Sequence, residues 1–296
     1  MSGSSRFTEY CRRREQEAVA AHIPGYRTIA DAPDEEMVAL GNEWSRRLFD
    51  GRFYRSPPAA DSGVPSVSLV FVQSRNGNTV ADNPSLLGGG ETDKHLIYEG
   101  LSRVDADAVL SGATTARAKN LVFSVWHPEL VALRRARGHD RHPAQIVVTA
   151  RSNLPLDEGL MFVEPSLRTF LVAPTAACAR LRASLRGRPW VHVVDAGEPL
   201  SLAGALRELH AHGIRVVSAV GGPRTATTLL REGLVRDVYL TTSAIDAGEP
   251  GTPFYGGPSL STRRVLEKAG KDEEAGVRFE HLVLAGNRHV ARATQA

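Results

Sequence analysis

Two short segments hold the residues of this chain that are best suited to bind a ligand. They are Gly112, Ala113, Thr114 and Thr115, and Gly221, Gly222, Pro223, Arg224 and Thr225. Each follows an apolar, β-branched run, where a buried strand is expected to end. Small residues there leave backbone N–H groups free to bind an anion, and a following helix adds the positive end of its dipole. Either segment alone fits an ordinary tight turn, but together they favour a nucleotide site.

The elements that position these turns alternate between strands and helices. Seven β-branched runs are predicted as strands: 67–73, 107–111, 145–149, 169–173, 190–194, 214–220 and 237–242. Apolar residues at helical spacing separate most of these runs. The alternation predicts an α/β fold with a mostly parallel central sheet flanked by helices. Two further runs, 263–267 and 277–285, predict a C-terminal antiparallel hairpin at one edge of the sheet.

A boundary near residue 60 divides the chain into two predicted parts, residues 1–60 and residues 61–296. The first part has helical patterning, with an amphipathic helix expected over 34–49. The stretch 56–63, rich in proline, alanine and serine, is typical of a linker. An N-terminal helical extension of this size is too small to form its own core. We therefore expect it to pack on the main body or on a partner subunit.

Composition narrows the classes of function. The net charge is only +3, and the arginines are scattered over the predicted helices, which does not favour a nucleic-acid partner. No apolar run approaches the roughly 20 residues of a membrane helix, and the N-terminus lacks an apolar signal core, so a cytoplasmic location is expected. Cys11 and Cys178 are too few for a disulfide framework, and the paired histidines lack further ligands. No metal site is therefore predicted.

The chain lacks the standard dinucleotide fingerprint and a P-loop, but the order of its motifs is informative. The segments are FVQSRNGNTV at 71–80, GGETDKH at 89–95, ADAVLSGATTAR at 106–117, VGGP at 220–223, and the stretches 229–241 and 247–254. From about residue 66 to 286 the chain resembles the reductase domain of bacterial riboflavin-biosynthesis deaminase/reductases. The resemblance implies a dihydrofolate reductase-like fold, the cofactor NADPH, and reduction of a ribosylaminouracil phosphate.

The resemblance also implies roles for individual residues. Gly112 to Thr115 would lie at the nicotinamide half of the cofactor and Gly221 to Thr225 at the pyrophosphate, and Arg117 would be a further cofactor residue. Arg151 and Ser152 follow the strand predicted at 145–149, where a cation and a hydroxyl suit the adenosine 2′-phosphate and favour NADP over NAD. The substrate residues would be Ser74, Asn76, Gly77, Asp93 and His95.

The sequence departs from the family at three places that are commonly acidic. Asn76, the pair Lys119 and Asn120, and Val220 occupy them. A valine can neither accept a hydrogen bond nor relay a proton, so the substrate side differs more than the cofactor side. Residues 1–60 show no zinc-deaminase signature either.

Three hypotheses about function stay open. The first is an NADPH-dependent reductase that acts on the ribosylaminouracil phosphate. The second is a reductase of the same fold with another small-molecule substrate, such as a dihydropterin, an imine or a carbonyl. The third is a nucleotide-binding protein without turnover. Similar reductases form homodimers, and the strand predicted at 277–285 is a candidate for pairing between subunits. The alternative is that this strand is covered inside one subunit.

Overall fold

A computed structural model describes residues 3–58, 62–151 and 153–284. The strands in these ranges are β1 Tyr26–Asp31, β2 Val38–Leu40, β3 Phe53–Arg55, β4 Ser66–Gln73, β5 Ala108–Gly112, β6 Ala144–Val148, β7 Thr169–Ala173, β8 Val191–Asp195, β9 Val216–Ala219, β10 Val235–Thr242, β11 Thr262–Gly270 and β12 Arg278–Leu284. The helices are α1 Gly3–Ala20, α2 Glu43–Phe49, α3 Gly90–Thr92, α4 Ala113–Ala116, α5 Pro128–Ala136, α6 Leu160–Val163, α7 Thr175–Ser184, α8 Leu202–Ala211 and α9 Pro223–Arg231. A π-helical segment, Asp93–Leu101, continues α3, and 3-10 turns lie at Pro84–Leu87 and Asp272–Glu274.

One mixed sheet of ten strands organises the molecule, in the order β1-β11-β12-β10-β4-β9-β5-β6-β7-β8. Every neighbouring pair from β10 to β8 is parallel, whereas β12, β11 and β1 pair antiparallel. The predicted parallel sheet with a C-terminal antiparallel hairpin is therefore confirmed. Because β4, β9, β5 and β6 run parallel, their carboxyl ends meet at one edge, where ligands bind in folds of this kind.

Both faces of the central strands are covered. All five residues of β7 are buried, and so are the first four of β5. One face packs on α8 and α9 through Leu206 and Leu229, and part of the other packs on α7 through Leu181. Burial on both faces explains why these strands are almost continuously apolar. No helix in the described ranges is long and apolar enough to cross a bilayer.

The N-terminal extension is less helical than predicted. The helix expected over 34–49 is wrong in its first half, because Val38–Leu40 pairs with β3 as a strand. Gly41 has a φ of +117°, which is not a helical conformation, so a helix cannot continue through it. The helix begins only after Asn42, whose side-chain oxygen accepts a hydrogen bond from the Ser45 N–H. The Ser45 hydroxyl oxygen in turn accepts from the Asn42 N–H, which completes a capping box.

The extension also supplies a strand to the main sheet. Strand β1 pairs with β11 at the edge of the sheet, and the buried ring of Tyr26 contacts Phe49 and Phe279. Residues before position 60 therefore pack on the main body and share its core. The domain boundary near residue 60 stays a prediction.

Strand β12 cannot serve as the proposed edge between subunits. It is hydrogen-bonded to β11 on one side and to β10 on the other, so its backbone groups are already used. The prediction that 277–285 pairs with a second subunit is wrong, and the covered position inside one subunit is correct. Ala285 lies outside the described residues.

Candidate active site

The two glycine turns lie side by side at the carboxyl edge of the sheet. Strand β5 pairs with β9, and the Val220 N–H donates to the Leu110 carbonyl at 2.8 Å. A Cβ placed on Gly221 would lie 2.9 Å from Cβ of Thr225, and one on Gly112 would lie 3.2 Å from its Oγ1. The Thr225 side chain thus fills the space between the turns, and glycine is needed on both sides of it.

Helix α9 starts at this edge with an open N-terminus. Gly222 is its N-cap, without a side-chain cap hydrogen bond, and Pro223 follows in the first turn. A Cβ on Gly222 would meet nothing within 4 Å, so the space in front of it is open. Arg224 is exposed beside it. The first N–H groups of a helix lack partners within the helix, so this arrangement suits a phosphate.

The neighbouring turn after β5 leads into the single helical turn α4. Arg117 ends that turn, and its Nε donates to the Asn153 carbonyl at 3.4 Å. This contact brings α4 against the segment that follows β6, where Arg151 is exposed. Arg151 therefore lies at the same edge as the glycine turns, as expected for a cofactor residue. Ser152 lies outside the described residues.

The turn after β4 is closed by its own side chains. The wholly buried Ser74 hydroxyl lies 2.5 Å from Oδ1 of Asn76 and 2.9 Å from the Ala247 carbonyl. The Asn78 amide donates to the same two acceptors at 3.0 Å each, and Gly77 takes φ +82°. The turn is thus fastened to the later loop around Ala247. Asn76 is exposed and Gly77 half-buried there, whereas the Ser74 hydroxyl is occupied within the protein.

Asp93 and His95 have different neighbours. The Thr241 hydroxyl of β10 donates to Oδ1 of Asp93, which lowers the pKa of this carboxyl, but burial and, to a smaller degree, the charge of Glu274 raise that pKa to about 7. His95 lies instead against carboxylates of its own segment, with Nε2 3.0 Å from Oε2 of Glu91. Burial lowers the pKa of His95. The substrate roles of Asp93 and His95 stay predictions.

The structure contains a cavity that the sequence pattern did not indicate. About 210 Å³ of space lies between α1, the π-helical segment and residues 120–123, just after the α4 turn. Its polar lining includes Arg13, Arg14, Tyr98, Glu99, Arg103 and Asn120. Three arginines in one small cavity indicate a site for an anion.

Arg103 is the most unusual group in this cavity. It is only 1% exposed, and its Nη1 donates to the Ser124 carbonyl at 3.0 Å. Its Nε and Nη2 make no hydrogen bond of good geometry in the described part of the chain, although the guanidinium also interacts with the Tyr98 side chain and with the charge of Glu99. The guanidinium lies 4.4 Å from the ring centroid of Tyr98 and 5.3 Å from that of Phe123. Burial lowers the pKa of Arg103, so an anion would offset a real cost.

The positions that depart from the family have other contacts here. Lys119 pairs with Glu158, and Nη2 of Arg6 donates to Oδ1 of Asn120 at 3.0 Å. Val220 is half-buried among apolar side chains. The turn at 119–120 therefore holds helix α1 of the extension against the body.

Residues 67–275, which carry both glycine turns, Asp93 and Arg103, match the family model described as RibD C-terminal domain. The chain belongs to the RibD C-terminal domain family. The predicted resemblance is thereby confirmed, and membership in this reductase family implies a nicotinamide cofactor. Arg103 lies inside the matched range, whereas α1 lies outside it.

Named relatives of this RibD-family chain agree with that assignment. A curated relative from Archaeoglobus fulgidus is the 2,5-diamino-6-ribosylamino-4(3H)-pyrimidinone 5′-phosphate reductase; it is 25% identical over 185 residues, which are 60% of this chain and 81% of the relative. A pyrimidine reductase-like protein from Corynebacterium diphtheriae has a TM-score of 0.61 at 23% identity, covering 75% of this chain and 92% of that one. A deaminase/reductase from Thermotoga maritima has a TM-score of 0.56 at 17% identity, covering 75% and 57%. The two structures show the shared fold.

Proposed function

We propose that this chain is an NADPH-dependent reductase of a ribosylamino-pyrimidine 5′-phosphate, the kind of compound for which the Archaeoglobus relative is named. The observation that carries the proposal is Arg103, a buried cation without an ion-pair partner among the described residues, which lines an arginine-rich cavity. A cavity with this charge favours a phosphorylated substrate over a neutral one.

The residues present at the sheet edge fit the cofactor. The open start of α9 at Gly222 suits the pyrophosphate, and the small residues from Gly112 allow close approach of the nicotinamide half. The exposed Arg151 suits the 2′-phosphate that distinguishes NADPH from NADH. When bound, the cofactor supplies the hydride. The protein supplies orientation and a site with little water.

On the substrate side, we assign the phosphate to Arg103 and the ring to the space next to Asn76. The guanidinium of Arg103 makes cation–π contacts with the rings of Tyr98 and Phe123. These contacts fix the position of the guanidinium before the substrate binds. A charge that is already held in place orients an anion at little entropic cost.

The cofactor site is tested with Gly222→Ala, because the added Cβ meets no protein atom and φ is −67°. We expect the variant to fold normally and to bind NADPH roughly tenfold more weakly, since the methyl group occupies the path of the pyrophosphate. The readout is a titration followed by reduced-nicotinamide fluorescence. Gly204→Ala in α8, whose Cβ meets nothing closer than 3.9 Å, is the matched control.

Arg151→Ala tests the choice between nucleotides. The variant should lose much of the preference for NADPH over NADH while its affinity for NADH stays unchanged. Equal binding of both nucleotides by the wild-type chain would contradict the proposal for NADPH. No binding of either would leave only the shared fold.

A second candidate function is reduction of a different substrate by the same fold. It is favoured by Asn76, by Lys119 and Asn120, and by Val220, where the family is commonly acidic. Oxidation of NADPH by the ribosylaminouracil phosphate separates the two, because only the first candidate predicts turnover with it. Binding of NADPH without oxidation by any substrate in a broad panel would favour a protein without turnover. A homodimer remains part of the proposal and is tested by sedimentation velocity.

A further inference from the structure

Helix α1 forms one wall of the arginine-lined cavity although it lies outside the family domain. The matched domain covers residues 67–275, whereas Tyr10, Arg13 and Arg14 line the cavity from α1. The opposite wall comes from Arg103 and residues 120–123 of the domain itself. The site is therefore incomplete without a segment that the family domain does not contain.

Several contacts hold α1 in this place. The Val122 N–H donates to the Tyr10 hydroxyl at 3.2 Å, and Arg141 forms an ion pair with Glu15 at 2.7 Å. Phe7 and Tyr10 pack with Trp126 in a small apolar cluster. The helix is thus fixed at both its start and its middle, so the side chains that face the cavity have defined positions.

The charges in the cavity do not cancel. Arg14 pairs with Glu99 and Glu17, and Arg13 pairs with Glu17 at 3.6 Å. Three guanidinium groups, counting Arg103, thus share two carboxylates. Nε of Arg14 is buried without a hydrogen-bond partner, as are Nε and Nη2 of Arg103, among the residues described. Arg14 therefore keeps one N–H group without a partner, and the free N–H groups of Arg103 have only the Tyr98 side chain and the charge of Glu99 to offset them.

We propose that Arg13 and Arg14 of α1 bind the same substrate phosphate as Arg103, so that the N-terminal extension sets the affinity for phosphorylated substrates. This inference rests on the proposed function in taking the cavity as the phosphate subsite. Arg103 supplies a buried, fixed charge, and α1 supplies a second cationic wall that closes over the anion. Two guanidinium groups on one phosphate give geometric specificity that a single cation lacks.

The test measures binding of ribose 5-phosphate to the full chain by isothermal titration calorimetry, with ribose as the uncharged comparison. Arg14→Lys keeps a cation beside Glu99 and loses the planar fork, and Arg13→Gln removes a half-exposed charge. We expect each change to weaken binding of ribose 5-phosphate by about tenfold. Arg12→Gln is the matched control, because Arg12 contacts only Glu9 and Gln16 in the described structure and does not line the cavity. It should change the affinity by less than about twofold.

Two results would overturn the inference. One is equal affinity for ribose 5-phosphate in Arg14→Lys, Arg13→Gln and the wild type, and the other is no preference for ribose 5-phosphate over ribose in the wild type. Titration of the same proteins with NADPH reports separately on the proposed function. Normal NADPH binding with unchanged phosphate affinity removes the role of α1 alone. Weakened phosphate affinity without NADPH binding supports the role of α1 and contradicts the reductase proposal.

Discussion

Two buried charges two residues apart, Arg103 and Asp105, are treated in opposite ways by the fold. Asp105 pairs with Arg55, with Arg137 at 2.6 Å and with His139 at 3.2 Å. Arg103 has no carboxylate within ion-pair distance in the described structure: its neighbours are the Ser124 carbonyl, the Tyr98 side chain and the Phe123 ring, with Glu99 acting from farther away. The cost of burying a charge is offset when oppositely charged partners surround it. A buried charge without such a partner is therefore a place where a charged ligand would supply the missing interaction. Asp105 therefore has a structural role, and Arg103, two residues away, is the candidate for ligand binding.

The pKa of Asp105 reflects the same compensation. Burial alone would raise it, but hydrogen bonds from His139 and Arg137 and the charge of Arg55 hold the pKa well below its usual range. The ionised form is therefore the one that the native structure stabilises. Stability from this group is present above the pKa of the unfolded carboxyl and is lost as the pH falls towards the folded value.

The largest effect is expected from Asp105→Ala. The change leaves Arg55 and Arg137 without their shared carboxylate, so the free energy of unfolding should fall by about 3 kcal/mol. Urea denaturation measures this value. Asp34→Ala removes the exposed partner of Arg263 and should cost less than about 1 kcal/mol. Similar losses in the two variants would mean that burial does not decide the contribution of these pairs.

Arg103→Met tests the other half of the comparison. Replacing a buried cation that has no ion-pair partner in the described structure by an apolar side chain of similar length should change the free energy of unfolding by no more than about 1 kcal/mol. Affinity for ribose 5-phosphate should nevertheless fall about 100-fold, because a charge-assisted contact in a buried cavity is lost. NADPH affinity serves as the control and should stay unchanged. A variant that is strongly destabilised, but binds ribose 5-phosphate with unchanged affinity under conditions where it is still folded, would place Arg103 with Asp105 as a structural charge.

A smaller, pH-dependent effect is expected at Asp93, whose pKa burial raises to about 7. The folded chain then holds a proton that the unfolded carboxyl loses near pH 4, so stability falls as the pH rises between these values. Asp93→Asn removes this penalty. Relative to the wild type it should gain on the order of 2 kcal/mol between pH 5 and pH 8, measured by urea denaturation at both. The exposed Asp82→Asn should instead follow the wild type at each pH.

Local pattern was enough to predict the parallel strands and their turns. The β-branched runs and the glycines at 112 and 221 identify strand ends because both properties are local to a few residues. Strand β1 was missed because Tyr26 is its only buried residue, its apolar Ile29 is exposed, and its partner lies far along the chain. The helix over 34–49 was predicted from the spacing of its apolar residues. The positive φ of Gly41 prevents a helix from running through this segment.

The arginine-lined cavity could not be predicted from the sequence at all. Its walls come from residues 10–14, 98–103 and 120–123, which only the tertiary structure brings together. Arg103 carried one local indication, since it is a charged residue between the buried, apolar Leu101 and Val104. Such a residue is usually paired by its neighbours, and only the three-dimensional contacts reveal that this one is not.

The pairing of β1 with β11 fixes the order in which the molecule can be completed. Tyr26 is aligned with Gly270, so one of the earliest strands to leave the ribosome must wait for one of the last. At roughly 5–20 residues per second, that wait is on the order of ten seconds or more. Helix α1 does not share this delay, because its contacts at Val122, Trp126 and Arg141 are synthesised much earlier. A nascent chain could therefore form the arginine-lined cavity before its sheet is complete.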